Sequence, residues 1–590
     1  MSTESIDTPG SSAQKSWLAR DLLLIAALAG TLYLAGNGRI SIWDRDEAWY
    51  AETTREMLRS GDYVVPRFND TPRYRKPVLV YWLMAASFSV FGDNEFGARF
   101  VSAVAGTITC LVTYRLGTRM GGRAVGLAAA LMLAVCPMML VESKLATTDA
   151  VLAAAFTGAM ACLWELHVAG PSWRWSLGFW FLIGVAALTK GPIGPALLGL
   201  AVLTWLILSR QWSVLRRLRW LPGLLVATAV VLPWCVAIYL ATDGEFYRYV
   251  IHHEALGHSL RTMEHHVGFP GYYVAIGFLG LLPWSFGLAL ALASVRRWAR
   301  QNGPGSFLLG WTIGPLLLIE LMRSKLPHYY LPAFPALSLL IARGLVQFWA
   351  EGQRTTQSAL GWLRWLRVAS LATYAFAVGG VLAWFAFDRA PAPTRVPLVA
   401  AAAVMIAGAV ISVACFLARR DVWAWSVNVG VSWCVGLIVA VGVLPRANDV
   451  RVARAAAAAL ADAAGNDTPI VLFGFREPSL VYYLREPVPS LGSVKQLSTQ
   501  LAKHGPVVTL LRDSDLKKLA KQSNVCIELC ERVDATPIRG VVAQSAYVAR
   551  ISAAAATRET ATDHAARRDS DGAESAAPPE LARTPLLLDR

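Results

Sequence analysis

The residues best suited to chemistry are acids and bases placed where long apolar runs end. Asp44, Asp46, Glu47 and Glu52 crowd into the ten residues from Trp43 to Glu52, directly after the first apolar run. Charge at membrane depth costs roughly 2.5–3.5 kcal/mol per residue, so such a cluster must face water, a cavity or a substrate. Asp44 or Asp46 can cap a short helix running to about Arg59, with Glu47 in its first turn and Gly61 beyond its end. Asp46, Trp49, Tyr50 and Thr53 then share one face of that helix. Capping accounts for Asp44 alone, whereas Asp46 and Glu47 together are expected to be catalytic. Carboxylates return at Glu142 and at Asp149, which opens a later apolar helix. Asp149 can cap that helix, or it can meet Asp46 across a site as a third catalytic acid.

The cations follow the same placement. Arg73, Arg75 and Lys76 precede an amphipathic helix. Arg73 reads as a solvated residue beside lipid headgroups, while Lys76 is placed to meet a phosphate at the membrane surface. Two later segments, His252-His253-Glu254 through His266 and Arg323-Ser324-Lys325-Leu326-Pro327-His328-Tyr329-Tyr330, hold most of the nine histidines. Their spacing matches no zinc motif, so no metal ligand set is assigned and a divalent ion is left open. Arg261 and Lys325 are expected to neutralise anionic oxygens, although headgroup contact would also explain them. Trp49, Tyr50, Glu142, His328 and Tyr329 are expected to line the substrate. Trp43, Tyr272, Tyr273 and Tyr330 fit an interfacial belt as well as a sugar platform.

What must position these groups is membrane helix. The chain has 590 residues, 55% of them hydrophobic and 16% charged, with a mean hydropathy of +0.44. About thirteen transmembrane helices are expected, near 18–37, 97–117, 124–141, 149–166, 175–190, 192–209, 220–241, 271–294, 306–322, 329–349, 367–388, 396–418 and 423–444. The net charge of +15 falls mostly in short loops, as the positive-inside rule requires, so it reports orientation and not nucleic acid. With residues 1–17 as a cytoplasmic tail, the transmembrane domain covers 18–444. Its region 38–95 is a first periplasmic loop with juxtamembrane helices. Glu142–Asp149, Lys190-Gly191-Pro192, the loop 242–270 and Arg323–His328 share that side. Residues 445–551 alternate short helices and strands, near 470–475, 507–511, 525–529 and 541–548, which predicts a small periplasmic α/β domain. The tail 552–590 reads as disordered. Six of the eight cysteines lie in apolar runs, and Cys526 and Cys530 share a strand, so no disulfide framework is implied.

Asp46-Glu47-Ala48-Trp49-Tyr50-Ala51-Glu52, Arg55-Glu56-Met57-Leu58, Gly61-Asp62-Tyr63-Val64-Val65-Pro66 and Lys76-Pro77 before Tyr81-Trp82 resemble the polyprenyl-phosphate-sugar-dependent glycosyltransferases of the GT-C fold. The nearest branch is the 4-amino-4-deoxy-L-arabinose transferase family that modifies lipid A. Leu188-Thr189-Lys190-Gly191 and Lys325-Leu326-Pro327-His328-Tyr329-Tyr330-Leu331-Pro332 extend the similarity over roughly residues 18–350. The resemblance implies a bacterial inner-membrane enzyme with a periplasmic active site. It would move sugar from an undecaprenyl-phosphate-linked donor to lipid A or another envelope glycan. The family's essential first-loop and second-loop aspartates correspond to Asp46 and Asp149, its phosphate-binding lysine to Lys76, and a later basic residue to Arg261. Two positions depart: that branch usually has Arg where Trp49 stands and Glu, linked to a metal, where Arg75 stands. No cofactor beyond that open divalent ion is implied. The expected partners are the lipid-phosphate sugar, a lipid or glycan acceptor and membrane lipids, the chain acting as a monomer. A protein O-mannosyltransferase-like enzyme and a flippase of lipid-linked sugars are the competing readings. The clean spans and absence of internal repeats weigh against the flippase.

Overall fold

In the computed structural model, which describes residues 12–43, 46–255, 268–300, 303–352, 361–450, 452–475, 477–522, 525–534 and 545–553, each expected span is helical. Among the described residues eight helices are long and apolar enough to cross a membrane, or ten if each of two bent pairs is one span. The count of thirteen is therefore not reproduced by length and composition. The other three expected spans are helices that fall short: Ile193–Ser209 has 17 residues, Trp173–Lys190 carries a cation near each end, and the described apolar stretch near 367–388 is Tyr374–Asp388. A span of the hydrocarbon core needs about 20 residues. The chain is a multi-pass helical membrane protein. Trp220–Ala241 has a mean hydropathy of 2.3 with only 11% of its most apolar window buried, so its outer face is built for lipid.

The first broken span has a local cause. Pro137 supplies no backbone N–H, and Cys136 before it is extended at φ −72°, ψ 143°, so Arg123–Val135 and Pro137–Lys144 meet at a 59° bend. The bend turns the short second helix, with Glu142 and Lys144, away from the line of the first. Lys144 Nζ then donates to the carbonyls of Leu32, Tyr33 and Ala35, at the C-terminal end of Ser12–Leu34. A cation there is favourable to the helix dipole. Just beyond, Gly36 takes φ +76°, and a Cβ would lie 2.2 Å from the Ala440 carbonyl oxygen, so only glycine lets the two segments approach.

The first-loop region contains the helices Asp46–Ser60 and Leu79–Phe91, joined through a two-strand hairpin, Arg67–Phe68 with Thr71–Pro72. Asn69 and Asp70 both take positive φ, 54° and 58°, as a tight primed hairpin turn requires. Glu56 accepts from the backbone N–H of both residues and fastens the turn to the helix.

The C-terminal part is an α/β domain, as expected. Val507–Arg512, Ser545–Ala553 and Val525–Asp534 form an antiparallel sheet with Ser545–Ala553 central, and Leu472–Phe473 pairs in parallel with Ser490–Leu491. Ser490–Leu491 was not anticipated. The 3-10 turn Pro445–Val450 precedes Val452–Ala464, which packs on the sheet through Ala453, Ala456, Ala457 and Leu460. The cysteines of the strand Val525–Asp534 are both free. Residues 1–11 and 554–590, which include most of both expected tails, lie outside the described residues.

This domain is docked on the first-loop region. Asn69 and Val488 exchange two hydrogen bonds of 2.7 Å, Tyr483 Oη donates to Glu95 and accepts from Ile42 N–H, and the Arg55 guanidinium bonds the Tyr482 carbonyl and covers its ring at 4.2 Å.

Candidate active site

Residues from five elements, the first-loop helix among them, converge on one cluster. Glu142 comes from Pro137–Lys144, Asp149 is the first residue of Asp149–Val168, and Lys190 is the last of Trp173–Lys190, where Gly191 at φ 71° ends the helix. His328 and Tyr329 stand in the 3-10 turn Pro327–Ala333, and Asp46 opens Asp46–Ser60. Lys76 precedes Pro77 and is half-buried.

His328 lies between the two inner acids, Nδ1 3.9 Å from Glu142 Oε1 and Nε2 3.9 Å from Asp149 Oδ2. Both carboxylate side chains are 6% exposed and the imidazole 19%. Lys190 Nζ sits 2.5 Å from Asp149 Oδ1 and 4.7 Å from the centre of the Tyr329 ring. Thr147 Oγ1 donates to Glu142 at 3.4 Å, and Thr148 Oγ1 to Asp149 at 3.4 Å. Asp149 is thus engaged by side chains of other elements and does more than cap its own helix. Asp46 and Lys76 are within electrostatic reach of His328, as is Asp46 of Glu142 and Lys76 of Asp149. Asp46 itself is exposed, at the mouth of the cluster.

Glu142, Asp149 and His328 can be enclosed with all ligand atoms within 4.8 Å of one another. The donor set nevertheless fits a metal poorly. Opposite nitrogens of one imidazole face the two acids, and the Lys190 ammonium already neutralises Asp149 through Oδ1. The arrangement suits proton handling and charge stabilisation.

Several expected site residues make their closest contacts outside the group Glu142, Asp149 and His328. Glu47 is 1% exposed and wholly taken up by Arg99, Trp43 N–H and Ala146 N–H, so it holds the chain that leads to Asp149. Tyr50 is 4% exposed and packs 5.6 Å from Tyr81, its hydroxyl pushed well above the usual range by burial. Trp49 is half-buried, 4.1 Å from Phe68, with the Arg73 guanidinium 4.9 Å from its ring. Arg73 is not a solvated residue: it is 9% exposed and donates to Tyr81 Oη at 2.6 Å. Lys325 is 8% exposed, paired with Glu320 and donating to the Phe269 carbonyl, away from Glu142 and Asp149 in its bonding. Arg261 lies outside the described residues, as do Asp44, His258, His265 and His266.

Lys190 and Arg99 were not singled out as site residues. Lys190 carried a signal, a lysine at a helix end in Lys190-Gly191-Pro192 on the same side as Asp149. Arg99 lay within the expected span 97–117, and a cation inside an apolar run was the clue that it has a buried partner.

A family model described as dolichyl-phosphate-mannose-protein mannosyltransferase matches residues 75–236. The undecaprenyl phosphate-alpha-4-amino-4-deoxy-L-arabinose arabinosyl transferase 2 of Sodalis glossinidius is 36% identical over 329 residues, 55% of this chain and 58% of that protein. The corresponding transferase of Pseudomonas aeruginosa strain UCBPP-PA14 is 33% identical over 341 residues, 57% of this chain and 60% of that protein. The chain therefore matches less than two thirds of the length of these curated relatives. The crystal structure of ArnT from Cupriavidus metallidurans bound to undecaprenyl phosphate superposes with a TM-score of 0.75 at 22% identity, covering 91% of this chain and 98% of that one. The fold is the one ArnT has, the expected GT-C architecture, and the resemblance to the aminoarabinose transferase family holds.

Proposed function

We propose that this protein is a glycosyltransferase that moves a sugar from an undecaprenyl-phosphate-linked donor to an acceptor at the membrane face. The observation that carries the reading is the convergence of Asp46, Glu142, Asp149 and His328 with Lys76 and Lys190 at the ends of membrane helices. Such a set of charges is kept at membrane depth only for a purpose. Similarity to transferases of undecaprenyl-phosphate aminoarabinose and to a fold holding undecaprenyl phosphate supports the donor class.

In this reading Lys76 meets the donor phosphate and the charge that develops as polyprenyl phosphate departs. Arg261 is the proposed second cation. Asp149, oriented by Lys190, faces the positive charge growing at the anomeric carbon, and Asp46 at the mouth orients the sugar or the incoming acceptor. The location is the bacterial inner membrane, with the cluster and the 445–551 domain on the periplasmic side. The acceptor is an envelope lipid or glycan. The family description matched by residues 75–236 favours, as a second reading, a mannose donor and a protein acceptor.

The test supplies purified protein with undecaprenyl-phosphate aminoarabinose, mannose and glucose, and with lipid A, glycan and peptide acceptors. Sugar transfer that falls at least tenfold in Asp46→Asn and Lys76→Ala is expected. Transfer at full rate in both variants removes the site assignment. Movement of the lipid across vesicles without any product favours a flippase instead.

A further inference from the structure

We infer that His328 is the base that takes a proton from the acceptor, and hence that the acceptor presents an alcohol hydroxyl and not a phosphate. The inference rests on the transferase reading above and names the acceptor chemistry of the same site. Its basis is the placing of one imidazole between two carboxylates, each facing a different ring nitrogen.

Of the three groups the ring is the most open: the His328 side chain is 19% exposed against 6% for Glu142 and for Asp149. At 3.9 Å both contacts are longer than hydrogen bonds, so the ring is oriented without being locked, and catalytic contacts often tighten when substrate enters. With Nδ1–H turned to Glu142 Oε1, Nε2 is left as the basic nitrogen on the side of Asp149. Glu142 then holds the tautomer, the orienting part an acid plays in nucleophile–histidine–acid sites. The charged groups facing the ring act in both senses. Asp149 and Asp46, from their own helices, favour the protonated ring, while Lys190 and Lys76 oppose it.

The step balances within the site. The acceptor O–H bond breaks and its proton passes to Nε2, while the oxygen's electron pair forms the new bond to the anomeric carbon. The bond from that carbon to the donor phosphate oxygen breaks, its pair leaving on the phosphate, which departs as polyprenyl phosphate. A phosphate nucleophile has no need of this device, because it arrives anionic. It would also have to enter beside Asp46, Glu142 and Asp149, and Lys190 is already held by Asp149.

The experiment compares lipid A with the same lipid A after enzymatic removal of its phosphates, and also follows slow hydrolysis of the three undecaprenyl-phosphate sugars, in which water is the hydroxyl nucleophile. Transfer to dephosphorylated lipid A, or hydrolysis of donor, is expected. In His328→Gln, kcat for it should fall about 10²–10⁴-fold with loss of the acidic limb of its pH profile. Donor KM and undecaprenyl phosphate binding should stay within about threefold, the yardstick that separates loss of a base from loss of fold or donor affinity. Glu142→Gln, which keeps the shape and removes the titratable carboxyl, should shift the acidic limb, a change that a purely structural role would not produce. A His328→Gln variant with wild-type kcat and an intact acidic limb overturns the inference. So does wild-type protein that uses only the phosphate-bearing lipid, in which case the transferase reading stands. Wild-type protein that releases sugar from none of the donors overturns the transferase reading itself.

Discussion

Arg99 and Glu47 satisfy each other and their surroundings completely. Arg99 Nε and Nη2 donate to the two Glu47 oxygens at 2.8 and 2.7 Å, and the remaining guanidinium hydrogens go to the carbonyls of Asn37, Ile40 and Ser41. Glu47 fills its other positions with the N–H groups of Trp43 and Ala146. The pair, 1% exposed on both sides, therefore ties together the end of the first helix, the first-loop helix and the segment before Asp149. Removing one member strands a buried charge.

Arg99→Met and Glu47→Ala are each expected to lower stability by about 3–5 kcal/mol. Thermal unfolding in detergent should show both, and the double variant should lose less than the two losses added, because neither charge is then left alone. Additive losses would mean that the two residues do not act as a pair.

Glu52 gives a pH dependence of the opposite sense to most paired acids. It is fully buried; Oε2 accepts from Arg55 at 2.5 Å, but Oε1 has no hydrogen-bond partner among the described residues. Desolvation outweighs the attraction of Arg55, whose charge is shared with Asp93, and the Glu52 carboxyl is pushed up to about 7. The folded state then holds a proton that the unfolded state has released between pH 4.5 and about 7, so stability falls as pH rises through that window and levels off above it. The total is on the order of 3 kcal/mol. Unfolding measured from pH 5 to 8 should show the decline, and Glu52→Gln should flatten it. A variant with the wild-type slope would assign the dependence to another group.

The acids and histidine of the cluster could be found from sequence because each interrupts or ends an apolar run. Asp46, Glu142, Asp149 and His328 needed only that one argument. Alternation of polar and apolar runs likewise located the helices and the small α/β domain. Pairing was what escaped it. Glu47 looked equivalent to Asp46 because its partner, Arg99, stands 52 positions away in a helix, and the same holds for Asp149 and Lys190, 41 apart. Helix periodicity fixes which neighbours share a face within one element, not which side chains meet between elements. Arg73 failed for a related reason: a basic residue in a polar loop gives no sign that Trp49, Tyr50 and Tyr81 will close around it.

Asn69 is expected to control how firmly the C-terminal domain is held. Its side chain donates to the Val488 carbonyl and accepts from the Val488 N–H, while its backbone takes the positive φ of the hairpin turn. Asn69→Ala loses both bonds and places a less tolerant residue in the left-handed region, a loss of about 1–3 kcal/mol. Limited proteolysis should then cut more readily between the membrane helices and the domain. Asn69→Gly, which relieves the backbone but not the lost bonds, should recover only part of the protection. Full recovery by glycine would put the effect in the turn and none of it in the docking.

Lys190 is predicted to act through Asp149. The ammonium lies 2.5 Å from Oδ1, leaving Oδ2 on the side of His328, so the lysine fixes which carboxylate oxygen is turned toward the ring. In Lys190→Met the buried acid loses its bonded cation, and neither its charge nor its orientation is secured. Transfer should then fall about 10²–10³-fold in kcat, comparable with the loss of an electrostatic group in a preorganised site, with a much smaller change in donor KM. Lys190→Arg keeps the charge and should restore much of the rate. The decisive measurement is the double variant: if lysine works only by holding Asp149, adding Asp149→Asn to Lys190→Met lowers the rate little further than Asp149→Asn alone. A double variant that shows the product of the two separate losses would give Lys190 a contact of its own with substrate.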